Sequence, residues 1–198
     1  MMKSDPLQFW KVYESVNSTE KHFSVKRKSE ICRYCNRTTK EVTFNQDTHL
    51  LPELLGTNNI LTYDECDSCN SLFSEFESNL SIYFRPFITL IGTKGKRKVP
   101  AFQSRTVNKD ENTRTTLEHI YGNKKHLKIQ NSKDVIRDDT NGKAEIIFRR
   151  PPFTPIKIYK AFLKIGLGLL PHHLDEYNKQ SFAWLTNRID KINFISNA

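Results

Sequence analysis

Two cysteine pairs, Cys32-Arg33-Tyr34-Cys35 and Cys66-Asp67-Ser68-Cys69, hold all four cysteines of this 198-residue chain. A two-residue spacer lets both thiolates of a knuckle reach one ion at about 2.3 Å, and two such knuckles complete a closed tetrahedral site. Four thiolates leave no position for water. The spacing therefore predicts a structural Zn2+ ion on Cys32, Cys35, Cys66 and Cys69, not a catalytic one. The alternatives are four unrelated buried thiols or a redox pair of the thioredoxin kind, and neither pair sits in a recognisable βαβ unit. A metal held this way ties the chain near residue 32 to the start of a helix near residue 69 and contributes folding free energy directly.

The compartment bears on that reading. Met1–Trp10 has no long apolar run after a basic start, so no signal peptide is expected. The longest apolar stretch, Ala161–Leu170, is interrupted by Lys164 and is too short to span a bilayer. The expectation is a cytoplasmic chain without membrane association, where thiols stay reduced and cysteines serve as metal ligands. Its length is enough to bury a core without disulfides, as one domain with a companion subdomain.

With 31 Lys and Arg against 22 Asp and Glu, the net charge is +9. Such an excess favours a polyanionic partner, nucleic acid before an anionic membrane, because cations on a phosphate backbone release condensed counterions. The charge is unevenly spread. No lysine or arginine lies between Lys40 and Arg85, whereas Glu41, Asp47, Glu53, Asp64, Glu65, Asp67, Glu75 and Glu77 all do. That segment suits a divalent cation. The flanking clusters Lys26-Arg27-Lys28 and Lys94, Lys96, Arg97, Lys98 suit a phosphate backbone, although each taken singly is equally well a solvated loop.

The pattern divides the chain into a lead-in over 1–28, a metal-bound segment over 29–90, and an α+β subdomain of unassigned role over 91–198. Phe9, Trp10 and Tyr13 stand at helical spacing in the lead-in. Glu41–Phe44 reads as a short strand, a second strand carries His49, and Asn70–Phe84 reads as a helix with Leu72, Phe73, Phe76, Leu80 and Phe84 on one face. Beyond Pro86, segments near 101–107, 114–120, 125–130 and 144–149 alternate apolar with polar residues and predict an antiparallel sheet. Ile156–Leu170 reads as an apolar helix, and another follows Pro171 through Leu185. His119 and His126 are expected on sheet surfaces.

Between and just after the knuckles stand His49-Leu50-Leu51-Pro52-Glu53, Leu55-Gly56, Asn58-Asn59, and Glu65-Cys66-Asp67-Ser68-Cys69-Asn70 with Phe73. Over residues 31–85 this order resembles the HNH (His-Me finger) nucleases, in particular the subgroup in which a zinc ion on two such knuckles braces a ββα core. The resemblance implies an α+β fold with a zinc-stapled, treble-clef-like ββα finger followed by the C-terminal sheet-and-helix subdomain. It implies a metal-dependent endonuclease hydrolysing DNA phosphodiester bonds. His49 matches the general base, Asn59 the asparagine that fixes the histidine-bearing loop, and Asn70 the last ligand of a catalytic Mg2+ or Mn2+ ion.

The chemistry is consistent with that assignment. An imidazole on a strand beside a cation can activate water near neutral pH, and Mg2+ takes oxygen ligands while retaining several waters. One position departs from the pattern: where the family carries an acidic or histidine ligand directly before the base, this chain has Thr48. Asp47 or Glu77 is then the expected replacement ligand. A weaker resemblance, of Arg85–Pro100 and Ile156–Leu170 to features of stand-alone bacterial HNH proteins, implies a role in defence against foreign DNA.

Double-strand cleavage from one site per chain implies a homodimer, and gating by residues 100–198 implies an activating partner protein. The other class of function is a treble-clef zinc module that binds nucleic acid or protein without cutting. The Thr48 departure favours it, whereas the joint occurrence of His49, Asn59 and Asn70 favours the nuclease.

Overall fold

The computed structural model describes residues 23–24, 30–56, 58, 60–95, 98–104, 116–120, 126–130, 135–138, 140–146 and 150–190. In chain order the elements are β1 (Phe23–Ser24), β2 (Thr48–His49), β3 (Ile60–Thr62), α1 (Asp67–Ile91), β4 (Phe102–Gln103), β5 (Thr116–Ile120), β6 (His126–Gln130), β7 (Val135–Asp138), β8 (Lys143–Ile146), α2 (Pro155–Leu169) and α3 (Lys179–Leu185). Short 3-10 turns cover Glu53–Leu55 and His172–Asn178. The fold is thus mixed α and β, with small sheets that are mostly antiparallel. The lead-in before β1 and the basic cluster at 26–28 lie outside the described residues.

The chain forms two compact units. The first takes the described residues of Met1–Leu51, Asn58–Leu72 and Lys164–Ala198; the second takes those of Pro52–Thr57 and Phe73–Leu163.

In the first unit β3 is the middle strand, antiparallel to β2 and parallel to β1. Thr48 faces Thr62 and His49 faces Leu61 across the β2–β3 pair. The expected strand over Glu41–Phe44 is absent. The amides of Glu41 and Val42 both return to the Thr38 carbonyl, and the Glu41 carboxylate accepts from the Thr38 amide and hydroxyl, so the segment closes as a turn. Those two hydrogen bonds, the amide one foremost, hold the Glu41 carboxyl below the usual carboxylate range.

The C-terminal part of α2 and the segment after it pack into this unit around Tyr34, Leu50, Leu167, Phe182 and Leu185. The ring of Tyr34 meets Phe182 edge-on at 5.9 Å. Arg33, between the first two cysteines, caps α2 from the side. Its guanidinium donates to the carbonyls of Gly168 at 3.1 Å and Leu170 at 2.6 Å, and it pairs with both oxygens of Asp175 at 3.0 and 2.6 Å. The last carbonyls of a helix have no partner within the helix and carry its negative end, so a buried cation there is doubly favoured. Arg188 adds a hydrogen bond to the Tyr34 carbonyl at 3.0 Å.

Two glycines of α2 make the tightness of this packing measurable. A Cβ on Gly168 would lie 2.1 Å from Leu50 Cδ1 and 2.8 Å from the Tyr34 hydroxyl, whereas one on Gly166 would meet nothing within 4 Å. Leu50 and Tyr34 are fully buried and have no room to yield. Gly168→Ala is therefore expected to destabilise by about 1–3 kcal/mol through overpacking. Gly166→Ala, on an exposed turn of the same helix, is expected to stabilise by about 1 kcal/mol through helix propensity. Paired denaturant unfolding curves check the opposite signs.

In the second unit α1 runs well past the expected end at Phe84, continuing through Pro86 to Ile91. Its buried stripe of Phe73, Phe76, Leu80 and Ile88 keeps helical spacing across the proline. Strands β4, β5 and β6 form the expected antiparallel sheet, with Phe102 opposite Leu117. The pair β7–β8 is a separate two-stranded hairpin. His119 does not simply sit on a sheet surface. Its Nε2 lies 2.6 Å from the Thr89 carbonyl of α1, and the ring packs where a Cβ on Gly92 would stand. The His126 side chain lies outside the described residues. Arg150 lies over the ring of Tyr83 at 4.5 Å, beside Phe153 and Phe87.

Candidate metal centre

The first knuckle is shaped by a hairpin of backbone hydrogen bonds. The amide of Cys32 reaches the Arg37 carbonyl, and the amide of Asn36 returns to the Cys32 carbonyl, each at 2.8 Å. Asn36 completes the reversal at φ 60. That left-handed conformation is one asparagine tolerates better than most residues. The second knuckle runs into α1, with Cys66 just before the helix and Cys69 in its first turn. The ligand atoms of Cys32, Cys35, Cys66 and Cys69 all lie within 4.8 Å of one another.

The Cys32–Cys69 and Cys35–Cys66 sulfur pairs are each 3.8 Å apart. Four sulfurs at about 2.3 Å from a central ion stand about 3.8 Å from each other in a tetrahedron. A disulfide needs about 2.05 Å. The donor set and its spacing fit one zinc ion. Cys32, Cys66 and Cys69 are buried and Cys35 is half-buried, so the site is closed. The Cys66 amide points at Cys32 Sγ at 3.5 Å, and Arg37 Nε donates to Cys35 Sγ at 3.3 Å. Both offset the negative charge that four thiolates around a divalent ion would leave.

As thiols, Cys32, Cys66 and Cys69 differ sharply. Cys32 is lowered to about 5, chiefly by its hydrogen bond with Cys69. That same bond, with burial, pushes Cys69 far up, and burial pushes Cys66 up to about 11. Only a cation at the centre lets all four ionise together.

Beside the knuckles, the approach to His49 is held by the start of α1. The Asp67 carboxylate accepts from the Thr43 hydroxyl and from the amides of Asn45 and Gln46, both at 3.1 Å. The hydroxyl, followed by the two amides, holds the Asp67 carboxyl below its usual range. Asn70, one turn into α1, donates from Nδ2 to Gln46 Oε1 at 2.5 Å. The segment that continues through Asp47 into β2 is therefore strapped to the helix that bears Cys69 and Asn70. Thr48 is buried, and its hydroxyl donates to the Thr62 carbonyl at 2.6 Å. His49 comes next, half-buried, with Nδ1 inside.

Of the other residues singled out in the sequence, Asp47 is exposed and belongs to the same unit as His49 and Asn70, while the half-buried Glu77 belongs to the second unit. Asn59 lies outside the described residues. Its neighbour Asn58 bridges the Leu51 carbonyl at 3.2 Å and the Ile60 amide at 3.2 Å. Lys94 and Lys98 are exposed on either side of a turn closed by the Gly95 amide and the Lys98 carbonyl. Lys96 and Arg97 between them lie outside the described residues. Among the described residues, the four cysteines are the one group of three or more His, Cys, Asp or Glu side chains close enough to share an ion.

Sequence reading did not single out three participants: Asp67, Gln46 and the buried Lys164. Asp67 and Gln46 were hidden because their contacts span more than twenty residues. Lys164 had a signal, the one cation interrupting the apolar run Ala161–Leu170. A pocket of ≈ 560 Å³ opens beside the first knuckle, lined among others by Arg33, Asp64, His172, Asp175, Lys179 and Phe182. Its charges largely pair with one another: Arg33 with Asp175, and His172 Nε2 with Asp64 at 3.3 Å.

No helix among the described residues is long and apolar enough to cross a membrane. No family model matches the chain, and no curated protein or solved structure matches it either. Geometry and chemistry alone therefore define the centre: four cysteines positioned to bind one metal ion, consistent with structural zinc.

Proposed function

We propose that this chain is a metal-dependent endonuclease of the HNH kind, which hydrolyses DNA phosphodiester bonds with His49 as general base and a structural zinc on the four cysteines. The observation that carries this reading is the order and strapping of β2, β3 and α1. His49 lies on the first strand, Asn70 lies in the first turn of the helix, and the Asn70–Gln46 and Asp67–Gln46 hydrogen bonds draw the segment before His49 onto that turn.

In the proposed reaction His49 takes the proton from a water attacking phosphorus. Asn70 Oδ1 and the Asp47 carboxylate are the oxygens that would hold a Mg2+ or Mn2+ ion. Asn70 spends its donor end on Gln46, and Asp47 is the next residue along. Such an ion, when bound, stabilises the charge building on the phosphoryl oxygens and needs only one or two protein ligands. Lys94 and Lys98, with the overall +9 charge, are suited to the phosphate backbone.

One observation favours a second reading. Thr48 stands where the family places an acidic ligand, and it is spent on holding β2 to β3. A zinc module that binds nucleic acid without cutting needs no such ligand. Incubating zinc-loaded protein with supercoiled plasmid separates the two. Nicked or linear DNA is expected with added Mg2+ or Mn2+ and intact DNA without it. Plasmid that stays intact under every ion yet shifts in a gel replaces the nuclease with the binding module.

A further inference from the structure

We propose that Lys164 is the positioning residue of the His49 loop, its ammonium fixing the His49 carbonyl and with it the direction of the imidazole. The inference rests on the nuclease reading for its catalytic meaning. Lys164 Nζ donates to the His49 carbonyl at 2.6 Å and reaches the Leu50 carbonyl at 3.4 Å. The Glu65 carboxylate lies 3.7 Å from the same ammonium, and the two side chains are 1% and 0% exposed.

Glu65 directly precedes the ligand Cys66, so the ion pair is anchored on the zinc cluster. One turn further along α2, Gly168 closes on Leu50 with no space for a Cβ. On the opposite side, the Leu50 amide bonds to the Ile60 carbonyl at 2.9 Å. The backbone of His49 and Leu50 is thereby gripped from both sides at the point where β2 ends.

A buried ion pair is a poor device for stability alone, because apolar side chains of the same volume would fill the space without desolvating two charges. What an ammonium provides and a methionine cannot is several hydrogen bonds from one point, here to consecutive carbonyls starting at the residue that bears the base. Misplacing a reacting group by about 1 Å can cost on the order of 100-fold in rate. A fixed carbonyl at His49 limits that error.

The test is the double variant Lys164→Met/Glu65→Gln, which removes the cation without leaving a lone buried carboxylate. The single variant Lys164→Met serves for comparison. Zinc content, thermal melting, plasmid nicking and the ring signals of His49 in a nitrogen-15 correlation spectrum are measured on the 198-residue chain. The double variant is expected to keep its zinc and its fold, to shift the His49 ring signals, and to lose about 10- to 100-fold in kcat with little change in KM for DNA.

Unchanged His49 signals, or an unchanged kcat, overturn the proposal. A double variant that loses its zinc or its fold also overturns it, since Lys164 is then a structural cation. If the wild type does not cut DNA under any ion, the nuclease reading fails by itself, and the His49 signals alone decide whether Lys164 sets the ring.

Discussion

Replacing Cys69 with serine is expected to abolish stoichiometric zinc and to unfold the unit that holds it. Cys69 is buried, 3.8 Å from Cys32 Sγ, and sits on the first turn of α1. It is thus the ligand that fixes the helix to the first knuckle. Structural zinc sites carry apparent binding free energies of about 10–16 kcal/mol at neutral pH. Domains of this kind are stable by only about 5–15 kcal/mol in total. Loss of one ligand from such a site therefore removes stability comparable to the whole.

Stripping the ion with a chelator should have the same effect on the wild type, and it should be reversed by added zinc. Acid acts in the same direction. Cys66 and Cys69 hold their protons as thiols, so the ion must displace them, and falling pH favours release of the metal. Elemental analysis beside circular dichroism measures both halves. A Cys69→Ser protein with wild-type melting and no zinc would show that the knuckles fold without metal.

The cysteine centre was legible in the sequence because its information is local: a two-residue spacer within each pair fixes geometry whatever surrounds it. The helices were legible from apolar spacing, although α1 outran its expected end. Sequence treats Pro86 as a stop, whereas the stripe through Phe73, Phe76, Leu80 and Ile88 continues across it. Tertiary burial outweighed the loss of one helical hydrogen bond.

Segment 41–44 failed for the opposite reason. Its residues fit a strand, but the Thr38 carbonyl takes the amides of Glu41 and Val42, and Asp67 at the start of α1 takes the Thr43 hydroxyl and the Asn45 amide. The least legible feature is the role of the C-terminal segment. In the sequence Arg33 is only a spacer residue of the first cysteine pair and Lys164 an interruption of an apolar run. Yet both are nearly enclosed, Arg33 holding the end of α2 and Lys164 the end of β2. Charges that serve backbone carbonyls more than a hundred residues away leave no periodic trace.

His49→Ala is expected to lower plasmid nicking by about 10² to 10⁴, the range that a positioned general base contributes, while zinc content and melting stay close to wild type. The separation comes from the contacts of this residue. Two of the bonds that hold this stretch of chain run through its backbone, from Lys164 to the His49 carbonyl and through the β2 register with Leu61. Alanine preserves both.

Asn70→Ala should behave differently. It removes the proposed ligand oxygen and also the hydrogen bond to Gln46 Oε1. Its defect should therefore be partly recovered by raising Mg2+ or Mn2+, which no concentration of ion should do for His49→Ala. Asp47→Ala should show the Asn70 pattern if Asp47 supplies the second oxygen, and Glu77→Ala should show it instead if Glu77 does. An ion titration across the four variants thus assigns base and ligands in one experiment. Nicking by His49→Ala at the wild-type rate would remove the base from its proposed role and leave the cysteine centre as the one functional feature still standing.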